Sequence, residues 1–142
     1  MASDSRGCPA LVADIGGTNA RFALADADQR TSAERVLSCA DYPDLIQAAA
    51  AYLRDVPEPR PRRAAVAVAT PVTGDWIDLT NNHWSFSREA AQQALGLEQL
   101  LILNDFTALA RALPLLGPDE RRAVGGGTAV AEAPIGLIGP GT

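Results

Sequence analysis

The run Asp14-Ile15-Gly16-Gly17-Thr18-Asn19-Ala20-Arg21 decides how this chain folds. Apolar residues 10–13 lead into it, and Phe22-Ala23-Leu24-Ala25 leads out. Both flanks are short and bounded by turn signals, which suits two buried strands better than helices. Between them, Gly16-Gly17-Thr18-Asn19 predicts a tight turn whose glycines tolerate positive φ. Such a turn leaves several backbone N–H groups around one concavity, and a nest of that kind binds anions. Asp14 falls at the end of the first strand, where its carboxylate can hold a metal ion that itself carries phosphate oxygens. Thr18, Asn19 and Arg21 supply further donors, the arginine always charged. The expectation is a phosphate cradle on a β-hairpin. The plain alternative is an ordinary Gly-Gly turn beside an exposed acid.

Outward from the hairpin, residues 27–33 read as polar turn and residues 35–40 as a weak third strand. Asp41 and Pro43 open a helix, and Leu45, Ala49, Tyr52, Leu53 and Val56 recur at helical spacing until Pro57. The proline- and arginine-rich residues 57–63 read as an extended, solvated connection. Residues 64–69 form a small-apolar strand, residues 70–75 turn it, and residues 76–79 return with period-two alternation. The polar loop Thr80-Asn81-Asn82-His83-Trp84-Ser85-Phe86 has two readings. Amides beside an aromatic can recognise sugar hydroxyls; the bland alternative, which the residues alone favour, makes Trp84 and Phe86 core and lets the asparagines satisfy a turn. Ser87 caps a short helix that ends at Leu95-Gly96.

A four-residue apolar strand, Leu100-Leu101-Ile102-Leu103, then runs into Asn104-Asp105. Phe106, Leu109, Ala110 and Leu113 continue at i, i+3, i+4 and i+7, predicting a helix that stops at Pro114. Asn104 and Asp105 therefore sit where a strand's C-terminus meets a helix's N-terminus, the edge at which open α/β sheets bind ligands. One helix cap, worth about 1 kcal/mol, accounts for one of the two polar residues. Two readings compete: the pair is simply a helix cap, or one residue caps while the other faces the cleft. Residues 117–134 read as loop, residues 135–138 as a short strand, and Gly139-Pro140-Gly141-Thr142 as the opening of a phosphate loop or of a dinucleotide fingerprint.

Composition narrows the chemistry. All 12 basic residues are arginine, which removes a Walker-A lysine and a Schiff-base lysine. A net charge of −5 gives no basic surface for nucleic acid. Two cysteines, Cys8 and Cys39, and one histidine, His83, cannot complete a zinc site of Cys and His alone. No segment approaches the roughly 18 apolar residues of a membrane span, and residues 1–9 contain no secretory apolar core. A cytoplasmic protein without nucleic-acid or membrane partners is the expectation.

The pattern Asp-x-Gly-Gly-Thr-Asn-x-Arg at 14–21 resembles the first phosphate motif of the sugar-kinase branch of the actin/hexokinase/Hsp70 superfamily, most closely the bacterial-type ATP-dependent glucokinases. Residues 70–87, with Thr80-Asn81 ahead of Trp84 and Phe86, are similar to that family's Thr-Asn-x-x-Trp-x-Phe region. Asn104-Asp105-Phe106-Thr107-Ala108 resembles its Asn-Asp-Phe-x-Ala signature, and residues 139–142 look like the start of its second phosphate motif. The resemblance implies an α/β, actin/hexokinase-like (ribonuclease H-like) lobe with a mixed β-sheet and flanking helices. Residues 1–113 would be the small lobe and residues 114–142 the beginning of a larger one, with the cleft between lobes.

By the same resemblance the reaction is phosphoryl transfer from ATP to the 6-hydroxyl of glucose, the entry to glycolysis, with Mg²⁺ as cofactor. Ala13, Asp14, Ile15, Gly16, Gly17, Thr18, Asn19 and Arg21 would hold ATP, Asp14 through the metal. Asn104, Asp105, Gly141 and Thr142 would meet the substrate, Asp105 acting as catalytic base. A homodimer is an option for the complete enzyme. The family's adenosine pocket and its further sugar ligands, two glutamates and a histidine, have no counterpart in these residues. The alternatives are a non-catalytic sugar- or nucleotide-binding regulatory lobe, or an inactive truncated fragment. Repressor relatives carry a helix-turn-helix ahead of the phosphate motif, and the 13 residues before Asp14 are too few for one.

Overall fold

The computed structural model describes residues 7–139, so Gly141 and Thr142 lie outside the described residues. Alternation in the first strand, β1 (Ala10–Ile15), buries Leu11 and Ile15 and leaves Asp14 exposed. It pairs antiparallel with β2 (Asn19–Ala25), which pairs antiparallel with β3 (Thr31–Ser38). On its other side β1 runs parallel to β4 (Arg63–Val68), and β4 runs parallel to β7 (Gln99–Asn104). The five-stranded order is β3-β2-β1-β4-β7.

Parallel neighbours need crossovers. One contains helix α1 (Leu45–Arg54); the other contains a small antiparallel pair, β5 (Trp76–Asp78) and β6 (Ser85–Ser87), followed by helix α2 (Arg88–Ala94). The consequence for function lies in the register. Ile15 pairs with Val68 and Val68 with Asn104, so β1, β4 and β7 end along one edge of the sheet.

The core fills the space between sheet and helices. Leu45, Ala48, Ala49, Tyr52 and Leu53 of α1 bury a helical stripe alongside Phe22, Leu24, Val66, Val68 and Ile102. Phe22 and Tyr52 stack with ring centroids 5.3 Å apart, and the Tyr52 hydroxyl donates to the Ala33 carbonyl at 2.9 Å. Trp84 and Phe86 join the same core. The bland reading of the aromatic loop is the one the fold adopts.

Several boundaries differ from the sequence-based expectation for local reasons. β3 begins at Thr31, because Asp26 Oδ1 accepts from the N–H groups of Asp28 and Arg30 and closes the turn early. Residues Cys39–Asp41 form a 3₁₀ turn, so α1 is capped by Asp44, whose Oδ1 accepts from Gln47 N at 2.9 Å. That helix ends at Arg54, short of Val56, where Asp55 N bonds back to the Tyr52 carbonyl.

Ser87 caps α2 as the sequence suggests, its Oγ accepting from Ala90 N at 3.1 Å. The same hydroxyl donates to Asp75 Oδ2 at 2.6 Å, while Asp75 Oδ1 accepts from Glu89 N at 2.8 Å. The Ser87 hydrogen bond and then the Glu89 N–H hold the Asp75 carboxyl below its ordinary value. A depressed folded-state pKa stabilises the fold above the ordinary carboxylate range, and that contribution disappears as pH falls through the depressed value. Ser87→Ala is therefore expected to cost about 1 kcal/mol from the lost cap. It is also expected to move the Asp75 titration upward, as NMR titration of the side-chain carboxyl would show. An unmoved Asp75 titration would contradict the assignment.

The chain divides into two compact units after Asp105. The second begins within helix α3 (Asp105–Ala112), which forms as its spacing predicts but buries none of its residues. Two 3₁₀ turns follow, Leu113–Leu115 and Pro118–Glu120. Residues 135–138 are not the strand their composition suggests. Among the described residues they have no strand to pair with, and Ile138 is 93% exposed. A short apolar run without a ladder leaves its backbone groups to water.

Candidate active site

The chain leaves β1 at Gly16 and re-enters the sheet at Asn19, with Gly16 N donating to the Asn19 carbonyl at 2.9 Å. Asp14 and Arg21 face each other across the ladder, both exposed. Neither Gly16 nor Gly17 adopts positive φ; among the described glycines only Gly96 and Gly125 do. Crowding is what requires glycine at 17. A Cβ there would lie 3.0 Å from the Asn81 carbonyl oxygen and 3.2 Å from Asn81 Cβ, whereas one at Gly16 meets nothing nearer than 3.6 Å.

Gly17→Val is therefore expected to push the 80–84 loop off the turn and destabilise the fold by about 1–3 kcal/mol, the usual range for overpacking. Phosphate affinity should fall with it. Thermal melting together with nucleotide titration checks both, and an unchanged melting point would show the contact to be soft.

Asp14, Gly16, Gly17, Thr18, Asn19 and Arg21 line a concavity of about 240 Å³. The backbone N–H groups of Gly17 and Thr18 meet no protein acceptor among the described residues. Two consecutive N–H groups without a protein acceptor, beside a guanidinium, are the kind of donors an anion-binding nest uses. Ala13 and Ile15 do not line the concavity. Ile15 is core, its carbonyl accepting from Ala69 N, and Ala13 packs against that core.

The loop behind the turn is tied down at several points. Asn82 Nδ2 donates to the Gly16 carbonyl at 3.2 Å, and its Oδ1 accepts from Trp84 N at 2.7 Å. Trp84 Nε1 donates to the Cys39 carbonyl at 3.1 Å and the Tyr42 carbonyl at 2.9 Å. His83 Nε2 lies 2.9 Å from the same Tyr42 oxygen; a carbonyl only accepts, so that nitrogen carries the proton. That bond straps the loop to the Tyr42 carbonyl. Cys39 N donates to the Thr18 carbonyl at 2.8 Å, and burial pushes the Cys39 thiol up, keeping it protonated. The sequence reading assigned the asparagines to a turn and missed the bond from Asn82 to Gly16; nothing local in the sequence marks it.

At the far end of the same edge, Asn104 closes β7 and its Nδ2 donates to the Thr70 carbonyl at 3.2 Å. Thr70 is itself fixed, buried with its Oγ1 donating to the Asp78 carbonyl. Asp105 follows as the first residue of α3. One strand, β4, separates β1 from β7, so the glycine turn and the Asn104-Asp105 pair stand about 10 Å apart, two strand spacings. No group of three or more His, Cys, Asp or Glu side chains gathers as a metal site among the described residues. Asp14 is a lone carboxylate, which suits a Mg²⁺ held mainly by substrate phosphates.

A mixed sheet of this order, with a glycine hairpin ending its first strand and an Asn-Asp pair ending its last, defines an actin/hexokinase-like α/β lobe. The chain belongs to the glucokinase family, whose model, described as Glucokinase, matches residues 11–142. It is 52% identical over 138 residues to the glucokinase of Ralstonia nicotianae, covering 94% of this chain and 40% of that protein. It is 48% identical over 136 residues to the glucokinase of Neisseria meningitidis, covering 96% and 42%. A "Bifunctional protein glk" of Paraburkholderia xenovorans is 52% identical over 134 residues, 94% of this chain and 21% of that one. Among solved structures, a glucokinase from an Antarctic psychrotroph superposes with a TM-score of 0.76 at 40% identity, covering 87% of this chain and 40% of its own. The chain thus spans about two fifths of the glucokinases it matches.

Proposed function

We propose that this chain carries the first phosphate cradle and the catalytic base of a glucokinase, transferring the γ-phosphoryl group of ATP to the 6-hydroxyl of glucose. One observation carries the reading. In a chain of this family, a turn with two unpartnered N–H groups and the Asn104-Asp105 pair share one sheet edge, a single strand between them.

Phosphoryl transfer depends on positioning and on neutralising charge. The Gly17 and Thr18 N–H groups and Arg21 hold phosphate oxygens. Asp14, with those oxygens, would hold Mg²⁺, which supplies further neutralisation of the phosphate charge. Asn104, its amide oriented by Thr70, positions the sugar. Asp105 takes the proton from the 6-hydroxyl as its oxygen attacks the γ-phosphorus, and ADP leaves. Residues 114–142 begin the larger lobe in this reading, with Gly141 and Thr142 meeting the substrate. A cytoplasmic protein without nucleic-acid partners accords with the net charge of −5. No helix among the described residues is long and apolar enough to cross a membrane. A homodimer rests on the family resemblance alone.

The test is a chimera in which these 142 residues replace the matching part of the Ralstonia nicotianae glucokinase. A coupled glucose 6-phosphate assay should give turnover in the kinase range, about 1–100 s⁻¹. A folded chimera that binds ATP and glucose yet forms no glucose 6-phosphate would overturn the proposal.

A further inference from the structure

We infer that Asn82 is a positioning residue for the phosphate turn: its amide fixes the Gly16–Gly17 peptide so that the Gly17 N–H is available to an anion. This rests on the phosphate reading above for its function, though its structural half stands by itself. Asn82 Nδ2 holds the Gly16 carbonyl at 3.2 Å. In a trans peptide the carbonyl and the following N–H point in opposite directions. Holding the Gly16 oxygen toward Asn82 therefore turns the Gly17 N–H away from the 80–84 loop, and no protein acceptor among the described residues takes it. A flipped peptide would offer an anion an oxygen in place of a donor.

The other donor near that carbonyl is weak, the Cys39 thiol at 3.8 Å. Asn82 is itself held from behind, because its Oδ1 accepts from Trp84 N at 2.7 Å and the Trp84 ring is anchored in the core. The amide's two ends thus do different things. One fastens the loop, and the other sets the turn. An exposed asparagine satisfying a local turn would need only the first.

The two ends can be separated experimentally in the 142-residue chain. Asn82→Asp keeps the acceptor for Trp84 N, removes the donor and sets a carboxylate oxygen against the Gly16 carbonyl. Its expected signature is a displaced ¹H–¹⁵N resonance for Gly17 with the Trp84 and Cys39 amides nearly unmoved and the thermal midpoint nearly kept. Affinity for inorganic tripolyphosphate should fall about tenfold, the scale of one hydrogen bond at an anion site. Asn82→Ala, which introduces no charge, should displace the Gly17 resonance as well, and serves if the aspartate variant does not fold.

An unmoved Gly17 resonance in a folded variant overturns the inference whatever the binding result. A displaced resonance with unchanged tripolyphosphate affinity overturns its functional half. If the unaltered chain binds no tripolyphosphate while the resonance still moves, the phosphate reading falls and the positioning stands.

Discussion

Asp105→Asn in the chimera is expected to lower kcat by roughly 10²–10⁴-fold, the contribution of a general base, with little change in stability. Asn cannot take a proton as a carboxylate does. Its amide oxygen can still accept a hydrogen bond from the sugar, so glucose affinity should fall much less than the rate. Asp105 opens α3, where a first-turn acid gains from the helix dipole about 0.3–1 kcal/mol, and a nearly isosteric amide keeps the shape of the side chain. Measuring kcat, KM and the thermal midpoint on the same protein separates the cases. Near-normal turnover would remove the base assignment, and a large stability loss would show that Asp105 holds the fold together instead.

Trp84→Ala is expected to be the most destabilising single truncation, about 3–5 kcal/mol, the range for large buried aromatics. The ring is fully buried, and its Nε1 serves the carbonyls of both Cys39 and Tyr42. Trp84→Phe keeps most of the packing and deletes that donor, so it should cost less, about 1–3 kcal/mol. The gap between the two variants in urea unfolding measures packing against hydrogen bonding. A loss below about 1 kcal/mol for the alanine variant would mean that the 80–84 loop is not anchored through this ring, contrary to the ordinary cost of such truncations.

The hairpin and the α1 stripe were legible in the sequence because their signals are local. Leu45, Ala49, Tyr52 and Leu53 announce a buried helix face wherever that face lands, and all four are buried. The three-residue β6 was not legible, since it exists through pairing with β5 and a polar Ser-Phe-Ser segment carries no strand signal of its own. Gly17 shows the limit more sharply. The sequence suggests glycine there for its tolerance of positive φ, yet what demands it is Asn81, 64 positions away and brought there by the fold. Residues 135–138 show the converse, an apolar run that makes no strand without a partner. For the site, the Asp14–Arg21 pattern and the Asn104-Asp105 junction could be found as motifs. Their common edge could not, because it depends on β4 entering parallel between β1 and β7.

The most direct measurement is an amide-shift map of the ¹⁵N-labelled chain titrated with MgATP. The largest changes should fall on Gly17 and Thr18, followed by Gly16, Asn19 and Arg21. Changes concentrated elsewhere, on the Gly125-Gly126-Gly127 run or on the open sheet face around Val12, Ala23 and Val36, would contradict the phosphate assignment of the turn.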